Sequence, residues 1–346
     1  MDAYAALTRG TTKPAAAEVI TLLRDSSGGG IGSDADTNMN YVIDFGGHTY
    51  TVGAPAVGST GTVSQGLRVL KTSTAKFTNG TLKAANYNGL AQVVHTYGDV
   101  TFDSFNVDAR ENSYAQIAVE PDCGTLNING NSSILAREGM TGLYVAFWHT
   151  GTYDGTTANV NTTGKITGKL VYEFDEDMTS DAAATENKAV LNITNGNFEI
   201  TEIKPLFTDV DVTNEALTKE KITVNGGTFS SDVSNFVDSA PVASNNGTYY
   251  VGTETIQGAA NNLSAGQQLK IEKGAVTING AEYRAGGNAT YTKPSSGYYY
   301  YQPTTDTKAD DTKGSPKTFD AGIALYVGMA LTSAAGVAFV GKKRED

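Results

Sequence analysis

One phrase recurs along this chain and limits what it can fold into: apolar, any, apolar, any, a turn pair rich in Asn and Gly, any, then apolar or aromatic. It stands as IDFGGHTY from Ile43, AKFTNGTL from Ala75, VTFDSFNV from Val100 and LNINGNSS from Leu126. It returns as LNITNGNF from Leu191, ITVNGGTF from Ile222 and VTINGAEY from Val276. Start-to-start spacings are 32, 25, 26, 65, 31 and 54 residues, and VNTTGKIT from Val160 is a degraded copy that divides the first long gap. Self-similarity at ~20–50 residues marks a stacked array. Alternation of period 2 sets Leu191 and Ile193, or Ile222 and Val224, on one face before the turn pair redirects the chain.

Each copy is followed by a second apolar stretch after a short polar link: GLAQVVHT, YAQIAVE and GLYVAFWH follow the copies at Ala75, Val100 and Leu126. One repeat therefore carries two or three short strands joined by turns, the content of one coil of a parallel β-helix. The expected fold class is all-β, a right-handed parallel β-helix over residues 18–240. Stacked at the ~4.8 Å inter-strand spacing, roughly eight or nine coils would make a rod about 40 Å long. Asn79, Asn195 and Asn225, at equivalent turns, are expected to stack as ladders.

Flanking segments complete the expected organisation. Residues 1–17 form an N-terminal cap or truncated remnant, with a short helix over Asp2 to Leu7 and a turn that feeds a strand over Val19 to Leu23. Residues 241–302 form a small C-terminal β unit of two or three strands with Gly turns. It ends in Tyr298 to Tyr301, flat faces that could stack on sugar rings. Residues 303–314, PTTDTKADDTKG, have no aliphatic core residue and read as a flexible linker.

Composition narrows the function. A net charge of −12 with no basic stripe before the last residues argues against a nucleic-acid partner, which would require clustered Lys and Arg. Cys123 is the single cysteine, so an intrachain disulfide and a thiolate metal cluster are both excluded. It reads as a small buried hydrophobe. The first residues lack the basic and apolar regions of a secretion signal, so the chain reads as a fragment or a mis-started frame.

From Ala321 to Val340 twenty residues carry no charge, which at ~1.5 Å per residue matches the ~30 Å hydrocarbon core of a bilayer. Lys342, Lys343 and Arg344 behind it are a membrane stop that leaves the upstream chain outside the cell. Polar linker, Ser-Pro-Lys-Thr, apolar span and basic end follow in that order over 315–346. The order resembles the cell-wall sorting signal of Gram-positive surface proteins, in which sortase recognises Leu-Pro-any-Thr-Gly. Pro316, Lys317 and Thr318 match that pattern, while Ser315 stands for its Leu and Phe319 for its Gly. The resemblance implies sortase and peptidoglycan as partners, with Thr318 joined covalently to the cell wall. The tail, with TFSSDVS from Thr228 and GTYYVG from Gly247, also looks like surface proteins of gut-dwelling Firmicutes.

Right-handed β-helices of the pectin-lyase-like type often carry polysaccharide lyases and glycoside hydrolases, whose chemistry requires converging carboxylates or calcium ligands. Glu173, Asp175, Glu176, Asp177 and Asp181 crowd one stretch but match no loop with a required Gly turn, and read as a solvated acidic loop. The histidines are His48, His95 and His149; His95 has Asp99 nearby and His149 has Asp154, a His-Asp arrangement weighed against ordinary turn residues. No metal and no cofactor is expected. The expected function is a surface-anchored β-helical stalk or adhesin-like protein that presents its flank to glycans or neighbouring surfaces. The alternative is an envelope-bound polysaccharide lyase or hydrolase.

Overall fold

Alternating apolar residues between Gly and Asn turns fold into short strands that stack in parallel. The computed structural model describes residues 2–59, 61–146, 155–174, 189–199, 203–207 and 221–295, all within the unit Met1–Gly297. Over most of this length the chain alternates between two sheets. It passes from Thr62–Val69 in one to Thr74–Ala84 in the other, back to Gln92–Thr96, and on through Asp99–Asp108, Ile117–Pro121 and Gly124–Gly130. The same exchange continues through Thr141–Val145, Thr156–Thr167, Lys169–Phe174, Val190–Glu199 and Ile203–Phe207. Each strand pairs in parallel with its counterpart one circuit later. The molecule is therefore an all-β protein of long parallel stacks.

Register ties the repeated phrase to the stack. Ala75 pairs with Val100, Val100 with Leu126, Leu126 with Ala158, Ala158 with Leu191 and Leu191 with Ile222. Five copies of the phrase thus begin on one column. The copies at Ile43 and Val160 sit two residues along it, opposite Phe77 and Ile193, a shift that keeps the same face inward. A second column, Phe77, Phe102, Ile128, Val160, Ile193 and Val224, is sealed from solvent, each residue at most 1% exposed. From the facing sheet Leu67, Val94, Val119, Leu143 and Leu170 form a matching in-register column, and the two sets share one hydrophobic core.

The long strands bend at their middles. Asn79 and Ser104 adopt φ of 55° and 56° at neighbouring positions, and Gly130 adopts 66° on the next rung. Such left-handed backbone is what Asn and Gly tolerate best. The expected ladder of Asn79, Asn195 and Asn225 is corrected by the structure. Asn79 donates to Asp44 at 3.3 Å and Asn195 accepts from the Gly196 N–H. The ladder forms instead on the strands: Asn192 donates to Asn159 at 3.0 Å, and Asn159 to Asn127 at 2.9 Å.

At the first rungs, helix Asp2–Ala5 and strand Glu18–Thr21 are shorter than the expected Asp2 to Leu7 and Val19 to Leu23. Tyr4 and Arg9 reach Asp36 at 2.7 Å each, and the Tyr4 ring meets Tyr41 edge-on. At the other end the parallel regime stops where Gly227–Phe229 pairs antiparallel with Thr248–Val251. A second core of Ala243, Ile256, Ala260, Leu269, Ile271, Val276, Ile278 and Tyr291 follows. It differs from the expected strands-only unit by containing helix Thr253–Asn262, whose buried pair Ile256 and Ala260, one turn apart, gives little sequence signal among Gly and Asn. The phrase at Val276 is likewise no rung: Ala275–Ile278 and Ala281–Arg284 form a hairpin across Asn279 and Gly280.

Among the described residues no helix is long and apolar enough to cross a membrane. The apolar run 321–340 expected to do so lies outside the described residues, as do the linker 303–314 and Tyr298 to Tyr301.

Candidate functional site

Of the residues singled out from sequence, His48, His95, Asp99, Cys123 and Glu173 are described. His149, Asp154, Asp175, Glu176, Asp177 and Asp181 lie outside the described residues, as do Ser315, Pro316, Lys317, Thr318, Phe319, Lys342, Lys343 and Arg344. His48 occupies a partly exposed turn with its Nδ1 3.3 Å from Asp25. Cys123 is a buried free thiol. Asp99 is exposed and accepts the Thr125 N–H at 3.2 Å; it is not the partner of His95.

That partner comes from the next circuit. The run VVHTYGD carries His95 to the end of strand Gln92–Thr96, and IAVEPDCG carries Glu120 and Asp122 to the end of Ile117–Pro121. Parallel register sets Arg68, His95 and Glu120 side by side on three successive strands. The Asp122 N–H then donates to the Thr96 carbonyl at 2.8 Å, holding the aspartate over the histidine's strand. His95 Nε2 lies 2.6 Å from Asp122 Oδ2, and its Nδ1 lies 2.6 Å from the Gln65 amide nitrogen. Nε2 donates to Asp122, and the role of Nδ1 toward Gln65 follows the ring tautomer and the orientation of the amide.

The cluster is sealed: His95 is 5% exposed, Glu120 8% and Asp122 7%. Burial penalises the charged form of Glu120 and pushes its carboxyl up to about 7; nearby His95 pulls the other way, and the Asp122 charge adds to the rise. Tyr97, hydrogen-bonded to Asp122, has its hydroxyl pushed well above the usual range, first by burial and then by that carboxylate. Tyr144 is shifted the same way by burial and by Glu173, to which it hydrogen-bonds. Arg68 stands beside the cluster but directs its guanidinium to Asp34 at 2.5 Å and Ser59 at 2.6 Å. Glu120 Oε2 and Gln65 Oε1 are buried without a hydrogen-bond partner.

Chemically, one imidazole and two carboxylates within 4.8 Å can exchange a proton or hold a cation. Sequence reasoning found His95 but missed Glu120, Asp122 and Gln65. The signal that could have found them was the position of polar residues at matching ends of consecutive apolar strands.

A second feature is an open polar cleft of about 560 Å³ beside helix Thr253–Asn262, lined by Asn161, Thr194, Asn195, Asn225, Thr253 and Glu254 among others. It offers amides and hydroxyls in place of titratable pairs.

Comparison of the chain with protein-family models, with curated proteins and with solved structures finds no match.

Proposed function

We propose that the protein is a non-catalytic surface stalk or adhesin-like protein, its stack a right-handed parallel β-helix of pectin-lyase-like type, anchored to the bacterial cell wall through residues 315–346. The observation that carries this reading is the column of in-register parallel rungs from Ala75 to Ile222, a repeating scaffold with polar residues turned outward. Right-handed winding follows from the strong preference for right-handed crossovers between parallel strands. The polar cleft at Asn161, Asn195 and Asn225 is a surface where amides could meet sugar hydroxyls. The anchor rests on the order of Pro316, Lys317, Thr318, the apolar run 321–340 and the basic end.

Two experiments test it. Incubating the purified protein with a panel of plant and mucin glycans gives binding without product, whereas new reducing ends or unsaturated sugars establish the lyase or hydrolase reading instead. Mass spectrometry of cell-wall digests finds Thr318 as the C-terminal residue joined to a peptidoglycan peptide; an intact tail ending at Asp346 removes the sortase step.

A further inference from the structure

His95, Glu120 and Asp122 each bring one ligand-type atom into a group no wider than 4.8 Å, and each residue is more than nine-tenths buried. Glu120 Oε2 lies there without a hydrogen-bond partner. Carboxylates taken out of water require a proton or a cation. The nearest guanidinium, on Arg68, is turned to Asp34 and Ser59, while the charge of Glu173 adds to the negative field on Glu120.

We propose that His95 Nε2, Glu120 and Asp122 ligate a divalent transition-metal ion of the zinc class, which fastens strand Gln92–Thr96 to the strand of the next circuit, Ile117–Pro121. The donors suit that class: Zn²⁺ takes imidazole nitrogen and carboxylate oxygen at ~2.0–2.2 Å, whereas Ca²⁺ favours all-oxygen sets of six to eight ligands. Two carboxylates and a dication also leave the buried site neutral. Three protein ligands leave one tetrahedral position for water.

Ligation places the ring proton on Nδ1 and frees the Nε2 lone pair. A half-turn of the Gln65 amide, now 2.6 Å from Nδ1 through its nitrogen, brings the unpartnered Oε1 round to accept that proton. This is the outer hydrogen bond that metal-bound histidines ordinarily make. The 2.6 Å between Nε2 and Asp122 Oδ2 then opens to about 3.3–3.6 Å to admit a tetrahedral ion.

The test uses the full chain after EDTA treatment, with Zn²⁺ alone as the probe. Calorimetric titration is expected to show one equivalent bound, and excess Zn²⁺ to raise the melting temperature by several degrees. Co²⁺ in its place should show the visible ligand-field bands of a tetrahedral site, a signature that a purely structural cluster would not give. His95→Gln, Glu120→Gln and Asp122→Asn each lower affinity by about 100-fold or more, and their melting curves in EDTA establish that each is folded. Glu120→Gln keeps the shape of the side chain while removing its charge, so it separates ligation from packing. No uptake by the unaltered protein overturns the proposal, as does uptake that survives in two or more of the three variants.

Discussion

Asp122 and Asp99 stand one circuit apart, and their contrast shows what a side chain in this fold responds to. Asp122 accepts from the buried His95 ring and from Tyr97, while Asp99 is exposed and makes one longer contact with the Thr125 N–H. Removing a buried acceptor costs about 1–3 kcal/mol for each group left unpaired. Asp122→Ala is therefore expected to destabilise the protein by about 2–5 kcal/mol, and Asp99→Ala by less than about 1 kcal/mol, measured by urea unfolding in EDTA. Comparable losses from the two would restore Asp99 as the partner of His95. The sequence pointed to Asp99 because it lies four positions along the chain; the actual partner lies 27 residues away. Separation along the chain could not show this, because the stack exchanges a local neighbour for one from the next circuit.

Asp108 gives a pH-dependent counterpart. Its carboxyl is held below the usual range chiefly by hydrogen bonds from the Arg110 guanidinium, at 2.9 and 2.8 Å. A carboxylate depressed on folding contributes stability that is present above its unfolded value near ~3.9 and is lost as pH falls through the lower folded value. The pair lies at the surface, so its contribution is no more than about 1 kcal/mol. Arg110→Ala should cost that much at pH 7 and progressively less as pH falls below the usual carboxylate value of ~3.9, read from unfolding curves at pH 7 and in acid. An equal cost at both would show that Arg110 acts by packing instead.

Single elements are held by contacts that repeat from rung to rung. The amides of Asn127, Asn159 and Asn192 form a two-bond ladder, with Asn159 in both bonds and Asn192 in one. At about 1 kcal/mol per bond, Asn159→Ala should lower stability about twice as much as Asn192→Ala. Equal effects would mean that the ladder contributes nothing beyond its own side chains. The strand phrase was legible at this scale because alternation and an Asn-Gly pair are local properties. Its destination was not. A left-handed residue is required both where a long parallel strand bends, as at Asn79, and where a hairpin reverses, as at Asn279 and Gly280. One phrase therefore served a rung at Ala75 and a hairpin at Val276. Helix Thr253–Asn262 escaped notice for a different reason: two buried residues in ten make a faint stripe.

Across the whole molecule the rungs share one property, that each residue stands over its equivalent from the circuit before. The apolar columns, the asparagine ladder and the His95 cluster all depend on it, because each brings together residues 24 to 34 positions apart. Alternation alone could also have built antiparallel hairpins. Two strand runs per repeat favoured the parallel solution, and the register shows those runs feeding two separate sheets. The polar residues at strand ends, by contrast, acquire their roles only once the stack is formed. A structural brace at His95, Glu120 and Asp122 and an outward-facing scaffold are two consequences of the same winding.

Parallel register is tested most directly by paired cysteines. Lys76 and Thr101 are register partners on adjacent parallel strands, at a Cα separation of ~4.8 Å that a disulfide can bridge. Asp103, two residues further on, is more than ~7 Å from Lys76 at that strand spacing and cannot be bridged without backbone movement. The native Cys123 thiol is buried and does not compete. On mild oxidation of the folded protein, Lys76→Cys with Thr101→Cys should form an intramolecular bridge in high yield, while Lys76→Cys with Asp103→Cys should stay reduced. Bridging of the second pair in place of the first, or of neither, would contradict the stacked parallel winding and the site built upon it.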